Sequence, residues 1–109
     1  MTTNNSKLPD RLYENYLISL VGKFHKIMPM KEANDITLKK YMRSLLRELK
    51  GSNDLIIALD YNAYYMSLIN TLQFLIDNDT NNEVCSVEIK KCISLIKKLI
   101  TIYFGNEKG

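Results

Sequence analysis

Apolar residues recur along this chain at spacings of three and four, and nowhere at the alternation of two that a half-buried strand needs. A first periodic segment runs from about Asp10 to Met28, with Leu12, Tyr16, Leu17, Leu20, Val21, Phe24 and Met28 on its stripe. Pro9 suits the start of that helix and Pro29 its end, so a loop is expected from Pro29 to Asn34. Asp35 is a good N-cap for a second helix. On it Leu38, Tyr41, Met42, Leu45, Leu46 and Leu49 share one face, and Gly51 is a natural stop. Lys39, Arg43, Arg47 and Lys50 form a basic stripe away from that face, which suits either an acidic partner or plain solvent.

From Gly51 to Asn62 the pattern is mixed. Leu55, Ile56, Ile57, Leu59 and Tyr61 would surround any helix, as in a short buried turn or a hydrophobic hinge covering a partner site. A cleaner stripe resumes with Tyr65, Leu68, Ile69, Leu72, Leu75 and Ile76, and no apolar residue follows Ile76 until Val84. The last helix is the most regular: Cys85, Ile89, Cys92, Ile96, Leu99 and Tyr103 repeat at 4-3-4-3-4 spacing, flanked by Ile93 and Ile100. Lys90, Lys91, Lys97 and Lys98 face outward, and Gly105 can end it. Such a seam suits either a second copy of the chain or the chain's own core. The expected fold class is therefore all-α, with helices near 10–28, 35–50, 65–76 and 85–104.

Composition narrows the class without changing it. The 109 residues make one expected domain, 46% hydrophobic and 25% charged, which is ordinary for a globular protein. The formal charge of +3 comes from 12 Lys and only 3 Arg, a weak excess for a nucleic-acid reader. No signal peptide and no membrane span is legible, and residues 1–8 read as a flexible N-terminus. Cys85 and Cys92 lie roughly 10 Å apart on one helix, too far for a disulfide at its limit of about 7 Å. Two reduced structural thiols in a cytoplasmic protein are expected. No Ser/His/Asp or Cys/His arrangement and no phosphate-cradling Gly loop is present, so an enzyme is not expected.

One segment carries candidate chemistry. A helix–loop–helix calcium site draws oxygens from positions 1, 3, 5, 7, 9 and 12 of a twelve-residue loop. In residues 77–88 these positions hold Asp77, Asp79, Asn81, the Glu83 carbonyl, Cys85 and Glu88, with Val84 at the apolar anchor. Two positions depart from the pattern. Asn82 stands where Gly normally makes the sharp turn, although Asn tolerates positive φ best among the others. Cys85 replaces an oxygen group, a ligand often supplied by water. Thr80 to Glu83 also reads as a capping box at a helix start.

From Leu12 to Gly105 the chain resembles the S-100 family of small dimeric EF-hand proteins. Phe24-His25-Lys26 is similar to that family's Phe-His-Lys-Tyr, and the run from Leu38 to Leu49, with its Leu-Leu then Glu-Leu, is similar to its second helix. The calcium loop and a long last helix ending Ile102-Tyr-Phe104 complete the likeness. The resemblance implies a degenerate first EF-hand over residues 10–50, a hinge over 51–61 and a second EF-hand over 62–105. The first site is expected to be dead, since Tyr41 or Met42 stands where its closing Glu belongs and Pro29 disturbs its loop. With a single histidine, family zinc sites have no counterpart, and His25 reads as a helix-end residue.

The resemblance further implies a homodimer through the first and last helices, with calcium as cofactor. It also implies a calcium-opened apolar groove of Leu55, Ile56, Leu59, Ile100, Tyr103 and Phe104 that takes amphipathic target helices. Two other readings share the sequence: a calcium-independent helical adaptor on the same fold, and an unrelated helical bundle, such as a small immunity or regulatory protein, that docks through its basic faces.

Overall fold

The computed structural model describes residues 11–105, which are all-α with no strand among them. The expected flexible segment 1–8 lies outside the described residues. Six α-helices follow one another: α1 (Arg11–His25), α2 (Ile27–Glu32), α3 (Leu38–Gly51), α4 (Asn53–Ala58), α5 (Ala63–Asp77) and α6 (Asn82–Ile100). A π-helical turn, Thr101–Gly105, closes the described chain.

Two short helices replace two expected irregular stretches. Pro29 does not end a helix; it sits in the first turn of α2, where the amide it lacks would have had no helical partner anyway. The break falls earlier, at Lys26. Asn34 ends α2 at φ 55°, with its own amide on the Lys31 carbonyl and the Asp35 amide on the Met30 carbonyl at 3.0 Å. That crossed pair is a Schellman stop, and Asn tolerates its left-handed residue. Asp35 then serves α3 from outside: the helix starts at Leu38, and Asp35 Oδ1 accepts from the Thr37 amide at 2.8 Å and the Thr37 hydroxyl at 2.6 Å. Those bonds, the hydroxyl's first, hold the Asp35 carboxyl below its ordinary pKa.

Gly51 is not a left-handed stop but the last residue of α3, and the chain passes through Ser52 directly into α4. The same Schellman pattern ends α4, with Asp60 bonding back to Ile57 and Tyr61 to Ile56. Asp60 and Tyr61 lie at φ 54° and 52°. Consecutive left-handed residues cost about 1–2 kcal/mol each, offset here by the packing of Leu55 and Leu59 into the core. Asn62 starts α5, its side chain accepting from the Tyr64 amide at 2.8 Å.

The long α6 is the axis of the bundle, packing against α1, α2 and α5, while α5 also meets α3. The regular seam of Cys85, Ile89, Cys92, Ile96 and Leu99 is buried within the single chain. Leu17, Leu20 and Phe24 from α1, Ile27 from α2, Leu49 from α3 and Leu68 and Leu72 from α5 complete a continuous core. Polar ties position the helices. Tyr65 Oη donates to the Leu49 carbonyl at 3.0 Å, and burial pushes that phenol up to about 12. Glu48 Oε2 accepts from Tyr16 Oη at 2.7 Å and Lys23 Nζ at 2.8 Å, while Tyr41 Oη donates to the Lys23 carbonyl at 2.8 Å. Both cysteines are buried free thiols, and burial pushes Cys92 up to about 12, so it stays protonated at neutral pH. No helix among the described residues is long and apolar enough to cross a membrane.

Candidate functional site

The expected calcium loop takes a different form. α5 ends at Asp77 and α6 begins at Asn82, so only residues 78–81 lie between the helices. Asn82, where a left-handed turn was expected, is helical and is not among the residues at positive φ. Asn81 Oδ1 accepts from the Val84 amide at 2.8 Å, making Asn81 the N-cap of α6, one residue beyond the Thr80–Glu83 box. Glu83 lies in the first turn of α6. Glu88 lies six residues into the helix from Asn82, about 9 Å along its axis, and pairs with Lys91 at 3.1 Å. Both Asp77 oxygens accept from Gln73 Nε2 at 3.0 Å, and Asp79 is exposed.

Asp77, Asp79, Asn81, Glu83 and Glu88 therefore do not converge. Among the described residues no three His, Cys, Asp or Glu side chains gather where one metal ion could be held. A calcium ion needs six to eight oxygens at about 2.3–2.6 Å, and this arrangement does not fit it. The hairpin turn is instead tied to the α2 end of the molecule by the Lys31 ammonium, which donates to the Thr80 carbonyl. Calorimetric titration of the wild type with about millimolar calcium should give no saturable heat. Asn81→Ala should lower stability by about 1 kcal/mol with or without calcium, as loss of a helix cap does. Saturable heat that vanishes in Glu88→Gln would instead mean that the first turns of α6 unwind to form the twelve-residue loop.

The apolar residues expected to line a target groove are partly brought together. Tyr103 Oη donates to the Leu59 carbonyl at 3.0 Å and accepts from Asn62 Nδ2 at 3.2 Å, pinning the last turn over the end of α4. Leu55 and Leu59 are buried, and Ile56, Ile100, Tyr103 and Phe104 are half-buried against the same core.

An open concavity lies elsewhere, between α3 and α5. It is an open groove of about 550 Å³ lined by Arg43, Leu46, Arg47, Lys50 and Gly51 on one side and Gln73, Ile76 and Asp77 on the other. Leu46 and Ile76 form its apolar floor, each less than a tenth exposed. Arg43, Arg47 and Lys50 stand exposed along its rim, and none has an ion-pair or hydrogen-bond partner among the described residues. Glu48, the single acid of α3, turns the other way to Lys23 and Tyr16. Like charges four apart on a helix repel by about 0.2–0.5 kcal/mol per pair, so α3 carries this stripe at a small cost to itself. The basic stripe was legible in the sequence; Gln73, Ile76 and Asp77 as the facing wall were not, because they lie about 30 residues further along the chain. No protein-family model matches the chain, and no curated protein or solved structure matches it.

Proposed function

We propose that this chain is a calcium-independent helical binding module that docks an acidic segment of a partner protein in the α3–α5 groove. The observation that carries the reading is the trio of cations, Arg43, Arg47 and Lys50, unpaired among the described residues, on one wall of the α3–α5 groove above Leu46 and Ile76. Cations at a rim attract a partner and set its register. No catalytic step is assigned to the groove, and the two buried thiols suit a reducing compartment such as the cytoplasm.

A fluorescein-labelled acidic amphipathic peptide of about 18 residues tests the reading by anisotropy. Wild type should bind it, with affinity falling at least about tenfold between low salt and roughly 0.5 M salt. Arg43→Glu with Arg47→Glu should abolish binding while leaving the helical circular dichroism and the melting temperature unchanged, because both side chains are exposed. Binding that ignores salt and the double reversal would sink the proposal.

The S-100-like reading would pair the helices as α1 with α3, then α4, then the α5–α6 hairpin, with α2 standing where the first loop belongs. Its calcium-opened groove would require Leu55 and Leu59 to leave the core. Its dimer would have to use outward residues of α1 and α6, Ile18 and Val87 among them, because the seam of α6 is already buried.

A further inference from the structure

Charge is not uniform along the α3–α5 groove. The Tyr65 hydroxyl on the Leu49 carbonyl pins the start of α5 beside the end of α3. Met42, near the start of α3, shares a second cleft with Leu75, Asn78 and Asp79. The two helices are therefore antiparallel, and Asp77 lies toward the Arg43 end. Gln73 holds its carboxylate in the α5 wall through contacts of 3.0 Å to both oxygens. At the other end Arg47 and Lys50 meet no carboxylate in the lining. One end of the groove is plainly cationic, and the other is mixed.

Spacing says more. Arg43 to Lys50 spans about 10 Å, two helical turns, so the cations are strung along an axis rather than converging on one point. A single phosphate would reach at most two neighbouring cations; carboxylates repeating with the same helical rise match Arg47 and Lys50 together and leave the Arg43 end, with Asp77, for a different group. Known modes of peptide capture narrow the form of the occupant. Strand addition needs an exposed sheet edge, and there is no strand among the described residues. Capture of a polyproline segment needs an aromatic-lined groove, and no aromatic residue lines this one. A nucleic-acid strand would bring phosphates against Asp77 and find no ring on which to stack a base.

Resting on the docking reading above, we infer that the occupant is an amphipathic helix of another protein, with carboxylates at i, i+4 spacing opposite Arg47 and Lys50. An apolar side chain of that helix sits on Leu46 and Ile76, and a Lys or Arg one turn further lies opposite Asp77. Asp77 thus selects among acidic helices: at the mixed end a further carboxylate meets Asp77 as well as Arg43, whereas a cation placed opposite Asp77 meets a carboxylate bonded to Gln73.

Two helical peptides of identical composition, about 18 residues each, test this. One carries its lysine on the docking face, one turn beyond the carboxylates; the other carries it on the opposite face. Wild type should bind the first about five- to tenfold more tightly. The preference should disappear in Asp77→Asn, an exposed substitution, while Arg43→Glu with Arg47→Glu weakens both peptides. Equal binding of the two by wild type overturns the inference and leaves the docking reading intact; binding of neither overturns both. A proline-interrupted peptide of the same charge that binds as well overturns the helical form, and single-stranded RNA that outcompetes both peptides overturns the partner class.

Discussion

Phe24→Ala lowers the unfolding free energy by about 3–5 kcal/mol, the usual cost of emptying a buried aromatic site. The ring has no exposed surface and lies one residue before the end of α1, where the chain turns at Lys26 into α2. Ile27, equally buried, follows at once, and the core contains further buried residues from α1, α5 and α6. Close-packed neighbours on rigid helices relax only partly into such a void, so dispersion contacts are lost as well as transfer energy. Domains of this size have about 5–15 kcal/mol in total, and each kcal/mol moves the melting temperature by about 4–8 °C. Urea unfolding is the check: the midpoint should fall sharply with an unchanged slope. Ile36→Ser is the control, since Ile36 is 96% exposed and its loss should stay within about 0.5 kcal/mol. A Phe24→Ala protein as stable as that control would mean that the core is not packed as described.

Glu48 is the second sensitive point, and here the variable is pH. Burial alone would raise its pKa. The hydrogen bonds from Lys23 and Tyr16, with the charge of Lys23, outweigh burial and hold the carboxyl below its ordinary value of 4.5. A depressed folded pKa means that the ionised form is the one bound in the native state. Its contribution is therefore complete above about pH 4.5, where the unfolded chain is also ionised, and is lost as pH falls through the folded value. At neutral pH Glu48→Gln should cost about 1.5 kcal/mol, the low end for charged hydrogen bonds because the side chain is 36% exposed. Stability measured against pH should show the wild-type and Glu48→Gln curves converging in acid. Parallel curves would mean that the carboxylate does not join α1 to α3.

The helices themselves were readable because periodicity is local. Leu17, Leu20 and Phe24, or Ile89, Cys92, Ile96 and Leu99, announce a buried face from spacing alone, and the structure buries each of them. The hairpin turn was harder. Asn81 is a residue whose side-chain oxygen serves equally as a calcium ligand or as a helix cap, and its neighbours supplied carboxylates at matching intervals. What separates the two uses is where α6 begins, at Asn82, with the Asn81 oxygen on the Val84 amide rather than free for an ion. Pro29 posed the same problem in miniature: proline ends one helix or opens another, and the Lys26 turn before α2 decided which.

By itself the sequence determined an all-α chain, its four principal helices and the basic stripe of Lys39, Arg43, Arg47 and Lys50, the last three of which line the groove. Each of these depends only on residues within two or three turns of one another. The tertiary structure alone decided that the α6 seam is buried inside one chain, that Leu55 and Leu59 belong to the core, and that the stripe faces Gln73, Ile76 and Asp77 across a groove. Such pairings join residues tens of positions apart, and they are settled by the summed burial of the whole core, which no local spacing encodes.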